Sequence, residues 1–166
     1  VTTPDTDVHT ESATLADLDR LVELWVELAS DQHAYDSHLA AEPNRTPARE
    51  ALASRVVTGG VRVVRDGDIV GFVMFGLEHG SYEQTVTRGV VHNLFVVPGA
   101  RGRGIGSALL ATAESALADE GADVVALEAM AENEDARRFY ERNGYRPHRV
   151  ELEKPARSDT HSREDG

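Results

Sequence analysis

The sequence predicts a mixed α/β fold, α+β by some schemes, in the order α-α-β-β-β-α-β-α-β. Three observations carry this. Apolar residues recur at helical spacing in "LADLDRLVELWVELA" and again in "GIGSALLATAESALADEG". "VRVVRDGDIVGFVMFGLE" reads as two strands around an Asp66-Gly67 hairpin turn. From Thr87 to Met130 an apolar run, a glycine-rich turn, a helical pattern and a second apolar run follow one another. That is one βαβ crossover, so its two strands should be parallel.

Each element has its own signal. The first helix places Leu15, Leu18, Leu21, Val22, Trp25 and Leu28 on one face, with Thr14 as N-cap and Trp25 in the core. "TPAREALASRVV" follows with Thr46 as cap and Pro47 at the first helical position. "SDQHAYDSHLAAEPNR" is a polar connection between the two. "TRGVVHNLFVV" is the third long strand and stops at Pro98. The next helix buries Ile105, Leu109, Ala113 and Leu117 and ends at Gly121. "DVVALEAM" is a strand on which Glu128 shares a face with Val124, Ala126 and Met130. "NEDARRFYERNG" is a short helix with Asn133 as cap and Gly144 at its end. "YRPHRVELE" is expected as the last strand. Residues 1–7 and 155–166 are polar and aperiodic and read as flexible tails around one domain, 8–154.

Composition narrows the function. Of 166 residues 40% are hydrophobic, enough for a sizeable core. No apolar run approaches the roughly 18–20 residues of a membrane span, and "VTTPDTD" has neither the basic nor the apolar part of a signal peptide. A cytoplasmic protein is expected. There is no cysteine, which removes disulfides, thiolate metal sites and a cysteine nucleophile. His33 and His38 are five positions apart, on different helix faces, so no metal site is expected. The net charge is −12, from 29 acidic and 17 basic residues, of which only Lys154 is a lysine. Such a field repels nucleic acid and anionic membranes and favours cationic partners. The same acidity suits adaptation to high salt, or a GC-rich genome. Glu27, Asp31, Asp36 and Glu42, around the connection, could attract a cationic amine.

The turn "ARGRGIG" suits an anion. The first N–H groups of a helix have no internal partner and carry a partial positive charge. Glycines let a phosphate approach the backbone, and Arg101 and Arg103 add fixed charge. A P-loop would need Gly-Lys-Ser/Thr, and the dinucleotide pattern would need glycine at Ser107, so neither fits.

The stretch Arg101-Gly-Arg-Gly104-Ile-Gly106 resembles motif A of the GNAT superfamily of acyl-CoA-dependent N-acetyltransferases. "NLFVVPGARGRGIGSALL" is similar to that family's strand, turn and helix throughout its length. "NEDARRFYERNGY" resembles a second family pattern at the expected distance, and the resemblance covers about residues 8–154. It implies a mixed central β-sheet flanked by helices, with a splayed parallel strand pair that binds acyl-CoA.

Carried over residue by residue, the resemblance puts backbone groups of Leu94, Phe95 and Val96 against the pantetheine arm of acetyl-CoA. The N–H groups of Arg101, Gly102, Arg103, Gly104, Ile105, Gly106 and Ser107 would hold the pyrophosphate. Asn133 would bond the arm from the other side. Acetyl transfer to a primary amine, of a small molecule or a protein, would be direct and need no metal. An N–H near Val96 would polarise the carbonyl and Tyr140 would protonate the leaving sulfur. An alkyl ammonium with a pKa near 10 must also lose a proton. Glu128 matches a glutamate proposed as base in some members, and His92 is its rival, with an ordinary pKa near 6.5. The first two helices and their connection, from Trp25 to Asn44, would shape the acceptor pocket, and members often form homodimers. A non-catalytic acyl-CoA sensor and a nucleotide-binding protein stay open at this point.

Overall fold

In the computed structural model, which describes residues 8–157, the sheet is organised by the Asp66-Gly67 turn. Gly67 takes φ 76°, the left-handed conformation that such a tight hairpin needs. The turn joins β2 (Val61–Asp66) to β3 (Asp68–Leu77), and β4 (Arg88–Val96) pairs antiparallel on the far side of β3. β5 (Val124–Leu127) lies parallel to β4, as the crossover requires. A two-residue strand, β1 (Glu11–Ser12), adds to the free edge of β2. The order is β1-β2-β3-β4-β5, a mixed sheet with helices on both faces.

α1 (Leu18–Gln32) and α2 (Arg45–Thr58) cover one face, over Val61, Val63, Ile69, Phe72, Met74 and Phe95. α1 buries Leu18, Leu21 and Val22 as its spacing requires, and also Leu24, Val26 and Ala29, because α2 packs beside it as well as the sheet. Leu15 was expected on this face but is 57% exposed: it sits in the 3-10 turn Leu15–Asp17 before the helix, where the period differs. Thr14 opens that turn, and its N–H donates to the Asp17 carboxylate at 2.8 Å. Trp25 is half-buried against the same core. α2 starts one residue before the expected cap. Arg45 is its first residue, and Thr46 and Pro47 lie inside the first turn, where a missing N–H costs nothing. The polar connection forms two further 3-10 turns, His33–Tyr35 and Glu42–Asn44.

α3 (Ile105–Asp119) covers the other face, over Val64, Val73, Phe75 and Val91. Ile105, Leu109, Ala113 and Leu117 are all buried, as the spacing predicts. Each fully buried leucine contributes about 1.5–3 kcal/mol relative to exposure. Gly121, at φ 101°, ends the helix, and the Ala122 N–H closes on the Leu117 carbonyl at 3.0 Å. α4 (Glu134–Arg142) completes the set.

Two expectations at the C-terminal side fail. "DVVALEAM" is a strand only to Leu127. "YRPHRVELE" forms no strand: residues 145–157 have no regular structure, with Val150 73% and Leu152 88% exposed. Alternation makes a strand only where a neighbour supplies a ladder, and β5, at four residues, offers little to pair with. The segment instead touches the α1–α2 connection, where His38 and Glu153 share a hydrogen bond of 2.8 Å. The expected N-terminal tail, 1–7, and residues 158–166 of the C-terminal one lie outside the described residues.

Candidate active site

β4 and β5 part company near the middle of β4. Their parallel register runs from Arg88–Val124 to Val91–Leu127 and stops. On its other side β4 stays paired with β3 as far as Val96. From His92 to Val96 the β5-facing edge of β4 therefore has no strand partner, and its peptide groups can receive an extended ligand as an added strand.

A bulge sits at the fork. Phe75 faces Val91 and Met74 faces Asn93, which leaves His92 as the extra residue. Before it Gly89 and Val91 point to α3; after it Leu94 and Val96 do. The bulge resets the alternation and aims His92 at the opposite face, toward α2. There Arg55 Nη2 donates to His92 Nε2 at 3.4 Å. Burial and then the Arg55 charge hold the imidazole below its ordinary value, while the Glu128 carboxylate acts the other way. Glu128 itself is exposed, one residue past the end of β5, rather than on an apolar strand face.

Sequence reasoning missed Arg55. Its guanidinium lies across Gly76, where an added Cβ would be 1.8 Å from Nη1. Its stem also passes Gly60, at an ordinary contact of 3.4 Å, but what excludes a side chain there is the Phe75 carbonyl, 2.4 Å from where a Cβ would sit. One glycine opposite an arginine on the facing helix is the only trace of this in the sequence. Asn93 was missed as well; its Oδ1 is buried without a partner.

The turn before α3 keeps donors free. Gly102 and Gly104 have φ 80° and 77°, and Gly104 occupies the N-cap with no side chain to fill it. The first helical bond runs from the Ala108 N–H to the Gly104 carbonyl, so the N–H groups of Ile105, Gly106 and Ser107 precede the ladder. Arg101 departs from the expected set, since its N–H donates to the Pro98 carbonyl at 3.3 Å. Its Nε donates to the Val96 carbonyl at 2.9 Å, and its guanidinium lies over the Phe95 ring. Arg103 pairs with Asp66 at 3.2 Å. The free amides from Gly102 to Ser107, open space at Gly102 and the unpaired β4 edge together fit a diphosphate followed by an extended arm.

α4 lines the α3 side of the fork. Asn133 is its cap, with Oδ1 accepting from the Ala136 N–H at 3.1 Å. Tyr140 packs against Phe139 and Tyr145, with ring centroids 5.3 and 5.9 Å away. Burial raises its phenol above the ordinary value. The neighbouring Tyr145 hydroxyl is spoken for, donating to Glu114 at 2.8 Å. Tyr140 packs on the α3 face of the sheet and His92 turns to the α2 face.

The acidic residues around the connection do not converge on this point as a group. Glu42 pairs with Arg45. Asp36, His38 and Glu153 bring ligand atoms within 4.8 Å of one another, but all three are exposed on the surface. His33 is not among them.

Known proteins share this frame. A model of the acetyltransferase (GNAT) family matches residues 18–145. An aminoalkylphosphonate N-acetyltransferase of Salmonella typhimurium is 30% identical over 141 residues, 81% of this chain and 82% of the relative. An uncharacterized N-acetyltransferase of Bacillus subtilis is 41% identical over 80 residues, 48% of this chain and 53% of that one. Among solved structures, a Bacillus halodurans protein superposes with a TM-score of 0.76 at 21% identity, covering 89% of this chain and 99% of that one. A GCN5-related N-acetyltransferase from Ralstonia eutropha JMP134 gives 0.69 at 24%, with 89% and 97% covered.

Proposed function

We propose, since the chain belongs to the acetyltransferase (GNAT) family and is an acyltransferase, that it moves an acetyl group from acetyl-CoA directly to a primary amine. The observation that carries this reading is the β4–β5 fork, with His92 aimed at one face and Tyr140 packed on the other. The Salmonella relative's name, which specifies an amine of low mass, favours a small-molecule acceptor.

Acetyl-CoA supplies an activated thioester. The amides of Gly102 to Ser107 bind the diphosphate at the positive end of α3. Leu94, Phe95 and the Val96 N–H offer the open edge of β4 to the arm, the Val96 carbonyl being held by Arg101, and the Asn133 side-chain N–H, free of the capping bond, meets the arm from α4. An N–H near Val96 polarises the carbonyl as charge builds on its oxygen. His92 takes a proton from the ammonium, exchanging its bond to Arg55 for one to the amine. Glu128, exposed across the fork, draws the cation in and does not need to be the base. As the new C–N bond forms and the C–S bond breaks, Tyr140 passes its proton to the sulfur, and the second proton that the nitrogen loses on becoming an amide restores the Tyr140 phenol. Its raised pKa keeps that proton in place through neutral pH.

A panel of small primary amines, incubated with acetyl-CoA and read by thiol release and N-acetyl product, tests this. Matched amounts of both are expected for at least one amine. Binding of CoA with no thiol release from any amine contradicts the reading.

A further inference from the structure

We infer that Arg55 is the acceptor's anion site, and that the preferred acceptors are short amines carrying a carboxylate or phosphonate on the same or the adjacent carbon. This rests on the acetyltransferase reading above, which leaves the amine otherwise unspecified.

Charge bookkeeping on the helices points to Arg55 first. Arg20 pairs with Asp68, Arg45 with Glu23 and Glu42, and Arg49 with Asp19. Arg55, the remaining arginine of α1 and α2, has no carboxylate within ion-pair distance among the described residues. A half-buried guanidinium without a counter-ion carries a desolvation cost that a ligand anion would offset.

The position is also built rather than accidental. The chain leaves out a side chain at Gly76, where the guanidinium lies. Gly76, next to the end of β3, has no left-handed φ, so its backbone does not require glycine. Space for Arg55 is the physical reason for it.

Arg55 Nη2 is 3.4 Å from His92 Nε2, the atom that would receive the amine's proton. A ligand whose nitrogen meets His92 and whose anion meets Arg55 must carry the two groups close together. Glu128, which acts electrostatically on His92 from across the fork, complements the cationic end of the same molecule. Carboxylate and phosphonate both match the planar donor fork of arginine.

The test compares aminomethylphosphonate and β-alanine with propylamine and 1,3-diaminopropane, in the full chain. Calorimetry measures binding of each, and thiol release measures turnover with acetyl-CoA. Proteins are the wild type, Arg55→Gln, Arg55→Lys and Gly76→Ala, each checked for folding by thermal melt. The wild type should bind and turn over at least one anionic amine at least tenfold better than propylamine. Arg55→Gln should collapse that ratio at least tenfold, mainly through KM, and Arg55→Lys should restore part of it. Gly76→Ala, which keeps the charge but displaces it, should act like Arg55→Gln. Equal turnover of all four amines, or a loss in Arg55→Gln that is the same for every amine, overturns the inference while leaving acetyl transfer intact. Absence of thiol release with every amine sinks the parent reading instead, and calorimetry with aminomethylphosphonate then decides the anion site by itself: loss of heat in both Arg55→Gln and Gly76→Ala supports it, no heat in the wild type overturns it.

Discussion

Val91 and Leu127 are the last partners through which β4 and β5 are held together; one residue further on, His92 and Glu128 are unpaired, and the Glu128 carboxylate still acts on the His92 imidazole. His92 can serve as base only when neutral. Burial and Arg55 hold its pKa below the ordinary 6.5, so the neutral form dominates at pH 7 and is lost as the pH falls through the lowered value. The kcat/KM profile should therefore have an acid limb below pH 6.5. Removing the positive neighbour in Arg55→Gln should move the limb up, and removing the opposing carboxylate in Glu128→Gln should move it further down. His92→Gln should abolish it. A limb that survives His92→Gln and vanishes in Glu128→Gln would transfer the role to Glu128.

Tyr140→Phe keeps the ring and its edge contacts with Phe139 and Tyr145 but removes the proton. Turnover should fall by roughly 10²–10⁴ with little change in CoA affinity. Steady-state kcat and a direct CoA titration separate the two. A fully active variant would leave Tyr140 as a packing residue.

Gly104 takes φ 77° at the N-cap of α3. Valine there meets the left-handed region's penalty, about 1–2 kcal/mol, and sets a branched side chain beside the free amides. The melting temperature should drop modestly, and acetyl-CoA affinity, measured well below it, at least tenfold. Unchanged affinity in the folded variant would remove the turn from the binding site.

His38 is fully exposed, yet its hydrogen bond to Glu153 raises its pKa above the usual histidine value. In an NMR titration its ring should titrate above the ordinary histidine value, and Glu153→Gln should bring it down toward that value. No difference between the two proteins would mean that the 145–157 segment does not rest on the α1–α2 connection in solution.

Elements set by local chemistry were legible in the sequence. The Asp66-Gly67 hairpin, the α3 stripe of Ile105, Leu109, Ala113 and Leu117, and the Asn133 cap all rest on residues close in the chain. What failed depended on distant neighbours. β1 exists because β2 has a free edge, and the strand expected in "YRPHRVELE" is missing because nothing supplies its ladder. The site was legible in the same proportion. The turn and the candidates His92, Glu128 and Tyr140 could be named, but the bulge that turns His92 toward α2 is a property of register between two strands. Arg55 reaches His92 from 37 positions away, across a glycine whose purpose shows only once helix and sheet are stacked.

The claim on which the rest depends is that the fork between β4 and β5 seats the acyl thioester's arm while the turn before α3 holds its diphosphate. Backbone amide NMR during titration with CoA tests it most directly. The account predicts shifts concentrated at Leu94, Phe95 and Val96, at Gly102 to Ser107, and at Asn133, with the α1 amides little changed. Saturable binding whose shifts fall elsewhere, leaving Gly102 to Ser107 unmoved, would contradict it.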